Sequence, residues 1–451
     1  MDLKNKKVVV VGSGVSGIGA VKLLTQVNAI PVLYDGNEKL TRDIISTKLP
    51  EGCNAEIVIG EMPQGLIDSA DLLVISPGVP IDSPVVLAYK EAGVPVWGEI
   101  ELAYNYEKGT VFAITGTNGK TTTTTLVGEI LKKHNEKTFV VGNIGTSYTG
   151  EVLNTSEDSV TVAEISSFQL ETIHDFAPFG TAILNITPDH LNRHYTMENY
   201  IAVKESITEN LPSEGFCVLN YDDETLREFG KKLDNAVYFS RKAKPERGAY
   251  MDGKVIRYTD GRNDIAIMTT DDMFLFGNHN YENVMAAIAM TINAGVDIDT
   301  IVGVISEFRG VEHRIEFVRE HKGVIYYNDS KGTNPDSSIK ALEAMSRPTI
   351  LIAGGYDKHS EFDEFLDAFK DTVKLMVLIG VTANQLEATA LRHGFDSIRR
   401  ADTLENAVKI CAKNAVAGDA VLLSPACASW DMFKSYEERG KLFKEYVNAL
   451  N

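Results

Sequence analysis

The sequence predicts an α/β protein of three domains, each built on a largely parallel sheet, and three observations predict it. Three stretches of the 451-residue chain repeat one pattern. A short β-branched run leads into a loop rich in Gly, Asp, Asn or Thr and then into a helix-like segment, the signature of parallel α/β construction. Two of these stretches open with a glycine-rich loop set directly between an apolar run and a helix, GSGVSG at 12–17 and GTNGKTT at 116–122. Apolar residues make up 44% of the chain, enough to fill the cores of several domains.

The first domain is expected over 1–106. It opens with KKVVVVGSGVSGIGAVKLL and continues through IPVLYD, ADLLVISPGV and VPVWGEIELA. GSGVSG follows four valines, opens a helix, and is followed by Asp35 at the end of the next run, which together fit a Rossmann-like dinucleotide fingerprint. By itself that favours an NAD-dependent oxidoreductase. The same turn can hold any diphosphate, however, and no partner domain for hydride transfer is evident.

The second domain, over 107–310, reads as a P-loop ATPase-like parallel sheet: GTVFAITGTNGKTTTTTLVGEILKK, VTVAEISSFQLE and GTAILNITPDH, ending near FRGVEHR. A standard P-loop would place glycine at 114, where this chain has Ile114. The loop is shorter, but the anion cradle survives. Amides of Gly116, Thr117, Asn118 and Gly119 can wrap a phosphate in front of a positive helix end. Lys120 would neutralise the β and γ phosphates, and Thr121, followed by Thr122, would hold magnesium. Glu164 and His190 sit where strands should end and could ligate a divalent cation. Alone, Glu164 could equally be a cap and His190 a hydrogen-bonded structural histidine. Lys204, in NYIAVKES, reads locally as a solvated helix lysine, and KAKPERGAYMDGK as an exposed hairpin region.

The third domain, over 311–451, is again Rossmann-like: GVIYYNDSKGTNPDSSIKALEAM, PTILIAGGYDK, VKLMVLIG and DAVLLSPACASWDMF. Asp329, Lys331 and Thr333 follow one strand, Lys358 a second and Ser429 a third. One such cluster is usually turn chemistry. Three at matching strand ends suggest a site, because ligands of such sheets gather at the carboxyl ends of the strands.

With 44 Lys plus Arg against 63 Asp plus Glu, the formal charge is −19, which repels nucleic acid and anionic membranes where no basic patch intervenes. No apolar run approaches the length of a membrane span or a signal peptide. Cys53, Cys217, Cys411 and Cys427 are scattered without zinc or disulfide spacing, so a cytoplasmic chain is expected.

Taken together, GTNGKTT, the strand ends at Glu164 and His190, GNHNYENVMAA with Asn280 and Asn283, EHR with Arg314, and NDSKGTNPDSS resemble the Mur ligase family of ATP-dependent amide-bond formers over essentially the whole chain. Within it, GEIEL at 98–102, AGGYDK and SPACASWDMFKSYEERG are similar to the D-glutamate-adding members, and the DNPR motif of the diaminopimelate or lysine adders is absent. The resemblance implies that UDP-N-acetylmuramoyl-L-alanine and D-glutamate are joined through an acyl phosphate by a monomeric enzyme using ATP and two magnesium ions. It implies that Lys120 and Thr121 hold the ATP phosphates and a first magnesium served by Glu164. His190 and a carbamylated Lys204 would serve the second. Asn280, Asn283, Arg314 and Asp329 fall at positions around ATP. Lys331, Thr333, Lys358, Ser429 and Tyr436 fall around D-glutamate, and Val15, Ser16 and Asn143 around the UDP-sugar peptide. Asp35-Gly36-Asn37 departs from the Asp-Thr-Arg of some members. Of the rival functions, an NAD enzyme leaves GTNGKTT unexplained, and a folate polyglutamate synthase should lack the N-terminal GxGxxG domain.

Overall fold

The computed structural model describes the whole chain apart from residues 54, 145, 357–359 and 451 and the side chain of Asp336. Three sheets carry the described residues. The first contains β1 (Lys7–Val11), β2 (Ile30–Asp35), β3 (Glu56–Ile59), β4 (Leu72–Ile75) and β5 (Val96–Gly98) in the spatial order 3-2-1-4-5, all parallel. The order reverses between β1 and β4, so a crevice opens beyond their carboxyl ends, where GSGVSG lies.

The second sheet is built from β6 (Thr110–Thr115), β7 (Thr138–Gly142), β8 (Val160–Glu164), β9 (Gly180–Ile183), β10 (Phe216–Asn220), β11 (Ala236–Ser240), β12 (Gly248–Asp252), β13 (Val255–Thr259) and β14 (Asp264–Thr269), in the order 14-13-12-11-10-9-6-8-7. It is parallel from β7 to β12, and β13 and β14 are added antiparallel. The hairpin expected near residue 250 therefore exists, but it is not free-standing. Its first strand pairs with β11, which buries Gly248, Ala249 and Tyr250.

The third sheet holds β15 (Glu316–His321), β16 (Val324–Asn328), β17 (Thr349–Ala353), β18 (Val373–Leu378), β19 (Ile398–Arg400) and β20 (Ala420–Leu423) in the order 15-16-20-17-18-19. Only the β15–β16 pair is antiparallel. Central strands such as Leu72–Ile75 and Ala420–Leu423 are apolar throughout and buried, as expected of parallel strands covered on both faces.

The chain packs into two compact units, Met1–Asp272 with Asn278–Ser306, and Met273–Gly277 with Glu307–Asn451. In the first unit one continuous core joins two sheets: Val8, Leu33, Leu72 and Trp97 of the first pack in the same cluster as Val111, Val141, Ala163 and Ile183 of the second. The carboxylate of Glu101, 1% exposed, fixes that junction by accepting the backbone N–H groups of His174, Asp175 and Phe176 at 2.8, 2.7 and 3.3 Å. In the second unit the sheet has a core on each face, around Leu351, Met376 and Phe365 on one side and Ile352, Val377 and Phe443 on the other. None of the four cysteines is in a disulfide, and Cys217, Cys411 and Cys427 are buried. Burial pushes the Cys217 thiol up to about 12 and raises that of Cys411 as well.

Candidate active site

Strand β6 lies between β8 and β9, so the loops leaving these three strands share one edge of the central sheet. The loop after β6 turns at Gly116 and Gly119, with φ of +149° and +83°. A Cβ at Gly119 would collide with the Asn283 amide oxygen, and one at Gly116 would press on Leu184. Glycine is required at both places. The side-chain amide of Asn185 clamps the loop: Asn118 N–H donates to Asn185 Oδ1 at 2.8 Å, and Asn185 Nδ2 donates back to Asn118 O at 3.1 Å. Thr117 Oγ1 donates to Thr187 O at 3.1 Å, accepts from Thr187 N–H at 3.0 Å and lies 3.0 Å from the Tyr200 hydroxyl.

Helix Lys120–His134 starts directly behind the loop, with Thr121 buried in its first turn and Thr122 partly exposed beside it. Asn283, on helix Asn278–Asn293, accepts from Thr123 Oγ1 and donates to Asn280 Oδ1, both at 3.4 Å, so both asparagines stand beside this helix.

Two lysines meet on one carbonyl. Lys120 Nζ donates to Gly116 O at 2.8 Å and to Thr117 O at 3.0 Å, while Lys204 Nζ donates to Gly116 O at 2.9 Å. Lys204 is not the solvated lysine of its local sequence: it is 1% exposed, with Nζ 4.7 Å from the centre of the Tyr200 ring. Burial, then the charge of Lys120, brings its pKa down to about 7 against the opposing pull of Asp189. It is therefore an amine poised to be neutral, the state a carbamate needs.

Glu164 ends β8 and is 1% exposed. Its Oε1 accepts from Asn143 Nδ2 at 2.8 Å, and its Oε2 is buried with no hydrogen-bond partner. An orphaned carboxylate oxygen at the edge shared with the phosphate loop fits a bound cation. Among the described residues no three or more His, Cys, Asp or Glu side chains are grouped so as to hold a metal ion. A cation here would draw on Thr121, Glu164 and phosphate or water oxygens, a set that suits magnesium. His190 is exposed, in a left-handed conformation at φ +51°, with Nε2 3.5 Å from Asp189 Oδ2 and its ring 4.8 Å from that of Phe168.

Sequence reasoning missed the group beneath it. His194 is buried, with Nε2 3.0 Å from Ser167 Oγ and Nδ1 3.4 Å from Glu171 Oε1. Burial lowers its pKa, which the Glu171 charge partly restores. Arg193 Nη2 bridges Glu171 Oε2 at 2.5 Å and Val79 O at 2.9 Å, fastening the first sheet's loop to the second's. Polar residues at three and four positions past His190 were the available signal.

In the first sheet the three glycines of GSGVSG have separate tasks. Gly12 turns at φ +101°, a Cβ at Gly17 would run into Gly12 O, and a Cβ at Gly14 would meet nothing within 4 Å. The open side of Gly14, next to the exposed Val15 and partly exposed Ser16, is where a ligand backbone can approach. Asp35, the residue a dinucleotide ribose would need, is already engaged: its Oδ2 accepts from Ser13 N–H at 3.0 Å and Ser13 Oγ at 2.6 Å. Burial works in the opposite direction, but these bonds and that from Asn37 hold the Asp35 pKa below its ordinary value.

The remaining sequence candidates belong to the second compact unit. Asp329 is 4% exposed, accepts from Ser424 Oγ at 2.6 Å and from Ile315 N–H at 3.3 Å, and is raised to about 7 by burial. Lys331 and Arg314 are exposed and Thr333 partly so, whereas Ser429 is buried. Tyr436 opens the helix Tyr436–Asn448, its hydroxyl pushed up to about 12 by burial and by Glu437. Lys358 lies outside the described residues. An unforeseen residue organises this end of the sheet: Arg439, fully buried, donates to Ser330 Oγ and O at 2.9 and 2.8 Å and to the carbonyls of Cys427 and Ala428 at 3.2 and 3.3 Å. It ties the loop after β16 to the loop after β20.

Models of known families match in three consecutive stretches: a Mur ligase MurD-like N-terminal domain over residues 6–98, a Mur ligase middle domain over 114–291 and a Mur ligase glutamate ligase domain over 313–427. Proteins named UDP-N-acetylmuramoylalanine–D-glutamate ligase from Lachnospira eligens and Lachnoclostridium phytofermentans are 62% and 51% identical over 100% of this chain, and the matches cover 100% and 99% of their own lengths. Among solved structures, the UDP-N-acetylmuramate-alanine ligase MurC of Thermotoga maritima shares the fold at a TM-score of 0.59 and 18% identity, over 98% of this chain and 99% of that one.

Proposed function

The chain belongs to the Mur ligase family, and from that membership we propose that it joins D-glutamate to UDP-N-acetylmuramoyl-L-alanine, using ATP and magnesium, in peptidoglycan precursor synthesis. The convergence of Lys120 and Lys204 on Gly116 O, at the edge where Glu164 keeps an orphaned oxygen, is the observation that carries the reading. The substrate carboxylate attacks the γ phosphorus of ATP, the bond to ADP breaks, and an acyl phosphate forms. The amine of D-glutamate then attacks the acyl carbon and gives up a proton as inorganic phosphate leaves. Both steps concentrate negative charge between anionic partners, which preorganised cations offset.

In this reading the amides of 116–119, Lys120 and Thr121 take the ATP phosphates. Bound magnesium would supply Lewis-acid neutralisation of the transferring group. Thr121 and Glu164 would hold one ion, and His190 and Lys204 a second. Lys204 would serve that second site as a carbamate: its neutral amine attacks carbon dioxide, forming a C–N bond and releasing a proton, and a cation becomes an anionic ligand. Asn280, Asn283, Arg314 and Asp329 would complete the nucleotide site. Lys331, Thr333, Lys358, Ser429 and Tyr436 would receive D-glutamate, and Val15, Ser16 and Asn143 the UDP-sugar peptide, with 1–106, 107–310 and 311–451 as working domain limits. The engaged carboxylate of Asp35 supports a UDP group over NAD on the first loop.

Phosphate release measured with ATP, magnesium and UDP-N-acetylmuramoyl-L-alanine tests the assignment. It should appear with D-glutamate, in step with amide formation, and be far slower with L-glutamate. Release indifferent to the acceptor's configuration would refute the assignment.

A further inference from the structure

Glu99 opens the helix Glu99–Tyr104 and is 3% exposed. Its Oε1 accepts from Gln169 Nε2 at 2.7 Å. The Gln169 side-chain oxygen in turn takes the N–H and hydroxyl of Ser166, each at 2.8 Å, completing a capping box just after Glu164. Glu99 Oε2 is buried without a hydrogen bond of good geometry, and the helix Glu99–Tyr104 packs against helix Val15–Gln26, which brings the Ser16 hydroxyl near the Glu99 carboxyl. Burial pushes the Glu99 pKa up, Gln169 and Ser16 oppose the rise, and among the described residues no charged side chain contributes to it.

A buried carboxylate with no cation is costly, and the neutral acid avoids that cost. As the acid, its C=O faces the Gln169 donor and its O–H faces the Ser16 oxygen. Ser16 lies in the first turn of helix Val15–Gln26, next to the open side of Gly14. A hydroxyl carries one hydrogen and two lone pairs, so a Ser16 oxygen that accepts from Glu99 turns its own hydrogen outward, toward an anion at the helix end. An ionised Glu99 would draw that hydrogen inward and place a negative charge behind the anion.

We propose that Glu99 is a positioning residue for the UDP-bearing substrate: it aims the Ser16 hydroxyl at the diphosphate while Gln169 of the central sheet holds its other oxygen. The proposal rests on the reading of GSGVSG as the diphosphate site.

Calorimetric titration of the full chain with UDP-N-acetylmuramoyl-L-alanine, alongside steady-state KM values for it and for ATP, tests the role in Glu99→Gln, Glu99→Ala and Ser16→Ala. Gln can present the same acceptor and donor, so Glu99→Gln should bind within about twofold of the parent. Glu99→Ala and Ser16→Ala should each weaken the UDP substrate by about tenfold, the scale of one charge-assisted hydrogen bond, with the KM for ATP little changed. Parent affinity should fall as pH rises through the raised carboxyl pKa, and Glu99→Gln should not show that fall. Glu99→Gln as weak as Glu99→Ala, or equal losses for both nucleotides, would overturn the role. Unchanged binding by Ser16→Ala would overturn the underlying reading of the loop. Weakened Ser16→Ala beside unchanged Glu99→Ala would overturn only the part given to Glu99.

Discussion

Lys204 shows how far a residue's chemistry depends on its surroundings. Its pKa of about 7 arises from burial and from Lys120, which share Gly116 O with it, and neither is visible in NYIAVKES. Lys204→Ala should lose nearly all ligase activity, and a small carboxylate such as formate should restore part of it by supplying the missing anion. Full activity of the alanine variant in carbonate-free buffer would remove the carbamate from the mechanism. Asp329 makes the opposite case in the second unit. Its folded pKa, about 7, is raised from the ordinary value of 3.8, so between these two values the folded chain holds a proton that the unfolded chain has released. Stability from this group is present at acid pH and is lost as pH rises toward 7. Asn cannot ionise, so melting temperatures of Asp329→Asn relative to the parent should shift in the variant's favour between about pH 5 and about pH 8. A constant gap across that range would show that Asp329 does not titrate there.

At the scale of elements, the loops were legible because glycine, lysine and threonine after an apolar run leave few alternatives. GTNGKTT could be placed between a strand and a helix from its letters alone. What surrounds it could not: the clamp by Asn185 and Thr187, the Glu171–Arg193–His194 group and Arg439 all depend on contacts between distant segments, and a polar residue does not reveal its distant partner in the residues next to it. Conformational demand is also unequal among glycines. Gly119 sits at φ +83° against Asn283, whereas Gly303, inside helix Ile298–Glu307, has open space around it. Gly119→Ala should destabilise by about 1–3 kcal/mol and raise the KM for ATP, while Gly303→Ala should stabilise by up to about 1 kcal/mol and leave ATP kinetics alone. Matched thermal melts and ATP titrations of the two variants check this contrast.

At the scale of the molecule, three α/β sheets were evident from the repeat of β-branched runs and glycine loops. The antiparallel extension of the central sheet was less evident, because Gly248–Asp252 alternates too little to show which neighbour it joins. A chain of net charge −19 that handles two anionic substrates must concentrate its cations locally, so ionic strength should affect substrate capture more than folding. The UDP substrate should raise the melting temperature of the full chain by an amount equivalent to about 2.7 kcal/mol at a hundredfold excess over its Kd, and NAD should not. A rise with NAD and none with the UDP substrate would revive the dehydrogenase reading. The buried thiols add a consequence of another kind. Cys217 lies in the core of the first unit, and Cys411 and Cys427 in the second, each closed to reagents while its sheet is intact. Each unit thus carries its own chemical clock: the rate at which a thiol-specific label enters measures how often that unit opens, and two substrates that stabilise different units would slow different clocks.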